Sequence, residues 1–242
     1  MSNIKNMLKW EFTLLSRYKI IHISILSVIL YFLTTQAVQS LKGQTAFNST
    51  LLFFDPALIG ILFVGALVLF EKSENVLQAL VVTPMKTEDY LLSKIISLTI
   101  LSLISAALFM ALMAIFNNTI FNIFSVLYSI SGIILTSVML ILFGFIIVSG
   151  VNSINGYLLV MLIAFIGLTF PPLLHLFGLF ENPIFYLWPT QASFILFDGV
   201  FKAASLELWE IAYGIFYQIF WIGLFYYLAK KAFYKYIILK GG

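Results

Sequence analysis

The residues best placed to do chemistry lie in one charged stretch, Glu71, Lys72 and Glu74 followed by Leu77, Leu80, Thr83 and Pro84, and the chemistry their spacing suits is recognition. Glu71 and Glu74 fall one turn apart on one helical face, while Val76, Leu77, Leu80 and Val81 form an apolar stripe, so the pattern predicts a short amphipathic helix. Thr83-Pro84 must end it, because proline has no N–H to give and pushes the residue before it out of the helical region. A second helix is expected after Pro84, with Thr87 as its cap and Glu88 and Asp89 at the positive end of its dipole. A short charged helix with one apolar face is built to dock, against a partner protein or against a membrane surface.

Bond-making chemistry finds no comparable set. The chain has no cysteine, which excludes disulfides, thiolate metal sites and a cysteine nucleophile. Its two histidines, His22 and His175, stand far apart with no partner at metal-ligand spacing, so neither a metal nor a catalytic residue is expected. The glycine-rich loop ending in Lys-Ser/Thr that cradles ATP phosphates is missing from the sequence. The chain is therefore not expected to be an enzyme or to bind a cofactor itself. Among polar residues inside apolar runs, Gln218, Ser102, Ser105 and Gln36 are the candidates for facing a water-filled path, with helix packing as the competing role. Asp55-Pro56 reads as the outer start of a helix, where aspartate suits the dipole and proline is tolerated. On that reading no acidic group is central in any apolar run.

The elements that must position these residues are set by a chain of 242 residues that is 62% hydrophobic and 10% charged, against roughly 25% charged in an ordinary soluble domain. With a mean hydropathy of +1.07, lipid is the expected solvent. Six apolar runs, 20–41, 51–70, 91–116, 124–149, 157–177 and 211–229, predict six transmembrane helices within one all-α membrane domain covering 1–242. No cleavable signal is expected, since the first long apolar run begins near Ile20 behind an amphipathic stretch. Lys5, Lys9, Arg17, Lys19, Lys72, Lys86, Lys94, Lys230, Lys231, Lys235 and Lys240 fall on one side of the six-span arrangement, and Lys42 and Lys202 on the other. By the positive-inside rule both termini and the 71–90 segment are cytoplasmic. Over 1–19, Ile4, Met7, Leu8, Phe12 and Leu15 recur at three and four, which predicts an interfacial helix with Trp10 at the headgroups. The stretch 178–210 is too broken by Pro183, Pro189 and charges to span, and its apolar middle predicts a re-entrant or interfacial helical element on the outer side.

The 71–94 stretch resembles the type 2 family of ABC transporter permeases, including its drug-export and fluoroquinolone-export members. In that family the segment reads glutamate, a basic-acidic-basic run, Gly-Thr-Leu-Glu, a few apolar residues, Thr-Pro, and then a helix running to a lysine. Glu71, Lys72, Leu77, Leu80, Val82, Thr83, Pro84, Leu91 and Lys94 match in spacing, while Glu74, Asn75, Val76 and Gln78 depart from it. The resemblance implies that 71–90 is a coupling helix seated in a cleft of a separate ATPase, with Glu71, Lys72, Glu74, Leu77, Leu80, Thr83 and Pro84 as its coupling residues. It also implies a connecting helix over 1–19 and outer re-entrant helices over 178–210. The expected partners are two copies of an ABC ATPase carrying ATP and Mg, a second permease copy in a homo- or heterodimer, and membrane lipid, but not nucleic acid. The expected place is the plasma membrane of a prokaryote.

Export of an amphipathic drug, peptide or lipid-like substrate follows as the expected function, since an apolar path solvates a highly charged solute poorly. The rivals are an ion-coupled secondary transporter, an intramembrane enzyme, and a non-transporting sensor or immunity subunit. A secondary transporter calls for a midplane acidic or basic site, and an enzyme for a convergent nucleophile and base.

Overall fold

The computed structural model describes residues 2–38, 43–74, 76, 87–202 and 206–235. Its helices are α1 (Ser2–Arg17), α2 (Ile20–Val38), α3 (Gln44–Leu58), a π-helical turn (Ile59–Phe63), α4 (Val64–Ser73), α5 (Thr87–Asn117), α6 (Ile123–Ser149), α7 (Ile154–Leu176), a 3-10 turn (Pro183–Leu187), α8 (Gln191–Phe201) and α9 (Leu208–Phe233). No strand occurs among the described residues. Six helical stretches are long and apolar enough to cross a membrane, with α3, the π turn and α4 running together as one 30-residue helix, Gln44–Ser73. The protein is an all-α, multi-pass membrane protein.

Local chemistry sets the breaks. Lys19, in the left-handed region at φ 61°, turns the chain from α1 into α2. The side chain of Asn122 accepts from Ser125 N at 2.8 Å to start α6, and Ser153 does the same for α7. Glu207 and Glu210 form a reciprocal capping box at the start of α9.

The second span differs most from expectation. It starts at Gln44 rather than near residue 51, because its first turns are polar in sequence yet covered by protein. Asn48, Ser49 and Thr50 are buried, and the hydroxyls of Ser49 and Thr50 donate back to the carbonyls of Thr45 and Ala46 at 2.8 and 2.7 Å. Asp55 is therefore not a helix-start residue. It lies eleven residues past Gln44, about 16 Å along the axis at 1.5 Å per residue.

This second helix is the interior one, 78% buried over its most apolar window, against 22%, 22% and 17% for α2, α7 and α9. Those three outer helices present apolar faces outward, among them Leu26, Leu30, Leu33, Leu162, Ile163, Ile166 and Phe216, as lipid contact requires. Close approach to the interior helix depends on glycine. A Cβ on Gly65 would stand 1.9 Å from the Tyr157 ring, and one on Gly144 would stand 2.4 Å from Val64. Tyr157, held in this notch, donates its hydroxyl hydrogen to the Ile61 carbonyl within the π turn.

In the broken stretch before the last span, α8 is buried along most of its length against α3, α6 and α9. Phe194 stacks on Phe53 of α3 with ring centres 4.2 Å apart. Tyr213 and Tyr217 of α9 donate to the carbonyls of Tyr186 and Leu187 at 2.6 and 2.7 Å, which ties the 3-10 turn to the last span.

Candidate functional site

Four side chains from three separate segments meet at one end of the bundle. Lys94 lies two turns into α5, and its ammonium donates to Glu71 Oε1 at 2.6 Å and to both Glu11 oxygens at 3.0 Å. Tyr90, one turn before Lys94, donates its hydroxyl hydrogen to Glu71 Oε2 at 2.5 Å. The ammonium also stands 4.9 Å from the centre of the Tyr90 ring, within cation–π range. Lys94 is 0% exposed, and Glu11 and Glu71 are each 2% exposed.

The elements explain the meeting. On α1, Glu11 shares its buried face with Leu14 and Leu15, which carries it against α5. Glu71 sits in the last turn of α4, and Tyr90 and Lys94 are one turn apart at the start of α5. Ring contacts enclose the cluster, with Tyr90 5.1 Å from Phe233 and 6.3 Å from Phe145. Two carboxylates share a single ammonium here. Burial pushes the Glu11 carboxyl above its ordinary range and Glu71 adds to the push, while Lys94 opposes it.

The assembly joins three segments through buried charge. What it can do is fix geometry: α1, the end of the second span and the start of the third are held by charges that cannot separate without leaving an unpaired ion in a dry site. Two of those anchors, Glu71 and Lys94, flank residues 75–86 in the chain. Around it lie weaker, exposed ties. Arg17 Nη2 is 3.8 Å from Glu74 Oε1, Lys72 Nζ donates to Asn152 Oδ1 at 3.1 Å, and Lys230 Nζ is 2.5 Å from Glu88 Oε1. These contacts bring α1, both flanks of 75–86, the α6–α7 connection and the end of α9 to the same end of the molecule.

Of the residues expected to contact a partner, Glu71 faces inward to Lys94, whereas Lys72 and Glu74 lie at the surface of that end. Leu77, Leu80, Thr83 and Pro84 lie outside the described residues. Glu74 caps the C-terminal end of α4, its N–H still bonded to the Phe70 carbonyl at 2.9 Å.

This arrangement can be set beside known proteins. The fluoroquinolones export permease protein family matches residues 2–241. The chain belongs to that family. Two relatives named Fluoroquinolones export permease protein, from Mycobacterium tuberculosis strains CDC 1551 / Oshkosh and ATCC 25618 / H37Rv, are each 29% identical to it over 242 residues, covering 100% of this chain and 99% of the relative.

In this export permease the residues expected along a path are placed less uniformly. Gln218 is fully buried in α9 and accepts from Thr136 at 3.1 Å and Ser193 at 3.2 Å, while its amide donates to the Gly214 carbonyl at 2.9 Å. It joins α6, α8 and α9. Ser105 bonds to Ser24 of α2, and Ser102 donates to the Leu98 carbonyl of its own helix at 3.1 Å. Gln36, exposed at the far end of α2, donates to Asn117 Oδ1 at 2.6 Å. These four are not gathered on one surface of the permease. His175 shares a hydrogen bond of 2.9 Å with Gln191, which fixes α7 to α8.

The sequence reading passed over Glu11 and gave Asp55 only a helix-start role. Glu11 does carry a signal: it falls three residues after Leu8 and four before Leu15, in the middle of an apolar stripe, where a lone carboxylate needs a partner.

Proposed function

We propose that this permease is the membrane-spanning half of an ATP-driven exporter, powered by two copies of a separate ABC ATPase acting on a pair of permease chains. The ATPase binds ATP and Mg, and this chain contributes neither a phosphate-binding loop nor a catalytic group. It sits in the plasma membrane of a prokaryote with both termini cytoplasmic, as its distribution of lysines favours. The segment 71–90 docks on the ATPase, with Lys72 and Glu74 on the accessible flank. The substrate is amphipathic, and a fluoroquinolone is the first to try because the relatives carry that name.

The observation that carries this reading is the Glu11–Lys94–Glu71 cluster. A force applied to 75–86 is delivered through Glu71 to Lys94 and Glu11, hence to the third span and to α1 together. Two elements that lie on different helices then move as one body, which is what a coupling device requires. Glu71 acts as a positioning residue here, since it reaches no partner directly.

Purification of the tagged full chain from its native membranes in mild detergent tests the reading. The expected result is a co-purifying nucleotide-binding subunit at equal stoichiometry with vanadate-sensitive ATP hydrolysis. A permease that purifies without such a subunit and shows no associated hydrolysis would overturn it.

A further inference from the structure

Asp55 lies well inside the 30-residue helix Gln44–Ser73, is 3% exposed, and has no hydrogen-bond partner on either carboxyl oxygen among the described residues. The elements packed against α3 are α2, α5, α6, α8 and the π turn, and α7 touches it through Phe165 on Phe54. Their ionisable side chains are few. α2 carries His22 and Tyr31, α5 carries Glu88, Asp89, Tyr90 and Lys94, α6 carries Tyr128, α8 carries Asp198, α7 carries Tyr157, bonded to the Ile61 carbonyl, and His175, bonded to Gln191, and the π turn has none. Lys94 is taken by Glu11 and Glu71, and Asp198 faces Lys202 at 2.5 Å. The group that feels a charge on Asp55 is Tyr31, itself an acid. No cation from these elements balances Asp55.

Its neighbours along the helix are hydrocarbon. Leu51, Leu52, Phe53, Ala57 and Ile59, on the same helix, are each buried to 7% exposure or less. An unpaired carboxylate in such a place costs several kcal/mol, and proteins resolve the cost by neutralising the group. A divalent metal needs several oxygen ligands, and these neighbours supply none from their side chains. An organic cation needs room that close-packed leucine and phenylalanine do not leave. A proton needs neither.

We propose that Asp55 is a membrane-embedded proton-binding site, occupied in this conformation, whose proton is released only when the second span repacks and admits water. Two features of the helix fit a neutral acid. Pro56 has no N–H to return to the Leu52 carbonyl, so the backbone beside Asp55 retains an acceptor that a carboxylic O–H can use and a carboxylate cannot. The π turn Ile59–Phe63 begins four residues further on, and its Ile61 carbonyl is served from outside the helix by Tyr157. A proton site thus stands next to the irregular stretch of the interior helix, where a change of register would alter its packing.

The test is infrared spectroscopy of the purified full chain at neutral pH, wild type minus Asp55→Asn. It needs no ATPase and so stands apart from the proposed function. The expected difference is the C=O stretch of a protonated carboxylic acid in the wild type, shifted in D2O and lost in the variant. A difference made of carboxylate bands, with no acid band, would overturn the proposal. Should Asp55→Asn fail to fold, carboxyl-13C aspartate is incorporated into an Asp89→Asn, Asp198→Asn chain, in which Asp55 is the one aspartate left. An isotope shift of the acid band supports the site, and a shift confined to carboxylate bands rejects it.

Discussion

Lys94 of α5 holds Glu71 at the end of α4 at 2.6 Å, with neither side chain more than 3% exposed. Exposed ion pairs contribute little, about 0 to 1 kcal/mol, but removing one member of a buried pair leaves an uncompensated charge at a cost of about 3 to 5 kcal/mol. Lys94→Met strands two carboxylates and Glu71→Gln strands part of one ammonium, so Lys94→Met is the more damaging. Thermal unfolding in mild detergent should show Lys94→Met lowered most, Glu71→Gln less, and Lys230→Gln, whose Glu88 pair is exposed, near wild type.

Glu11 adds a pH dependence. Burial raises its carboxyl above the ordinary 4.5 despite Lys94, so the folded chain holds this proton more tightly than the unfolded chain does. The sign follows: its contribution is complete below about 4.5 and is lost as pH rises through the raised folded value. Glu11→Gln, which keeps a hydrogen-bond acceptor for Lys94, should remove that decline with pH and cost less than Glu71→Gln. Unfolding measured for both variants across the acidic to neutral range checks this, and a wild-type profile parallel to that of Glu11→Gln would contradict it.

Glycine-to-alanine changes separate contact from propensity. At Gly223, where a Cβ meets nothing within 4 Å, alanine should stabilise the helix by up to about 1 kcal/mol. At Gly65 the same change drives a methyl group into Tyr157 and should destabilise by about 1 to 3 kcal/mol, displacing the hydroxyl from the π turn. Gly65→Ala combined with Tyr157→Phe should recover little, since the clash is with the ring.

Gln218 is a joint between α6, α8 and α9, with each of its amide atoms bonded inside the chain. Hydrogen bonds between membrane helices average about 0.6 kcal/mol each, so Gln218→Leu should cost on the order of 1 to 2 kcal/mol of stability. Substrate KM should stay unchanged. A shifted KM with unchanged stability would return Gln218 to a substrate path.

The helical class and the six spans were legible because charge-free apolar runs can be accommodated in few other ways. The interior span was misjudged in its start because Gln44, Thr45, Asn48, Ser49 and Thr50 read as loop residues, and only the burial of Asn48, Ser49 and Thr50 against other helices reveals a span. Asp55 was misplaced for the same reason. The buried cluster needed a three-dimensional fact that periodicity lacks: Glu11 and Lys94 are 83 residues apart in the chain. The short helix α8 was foreseeable as a broken apolar stretch, yet its stacking of Phe194 on Phe53 was not.

The central claim is that ATP, spent on a separate subunit, drives this permease. Uptake of a fluoroquinolone into inside-out membrane vesicles containing the permease and its co-purifying ATPase tests it most directly. The account predicts accumulation that requires ATP, is blocked by vanadate, survives collapse of the proton gradient by an uncoupler, and is lost in Lys94→Met. Accumulation driven by an imposed ion gradient and indifferent to ATP would contradict it.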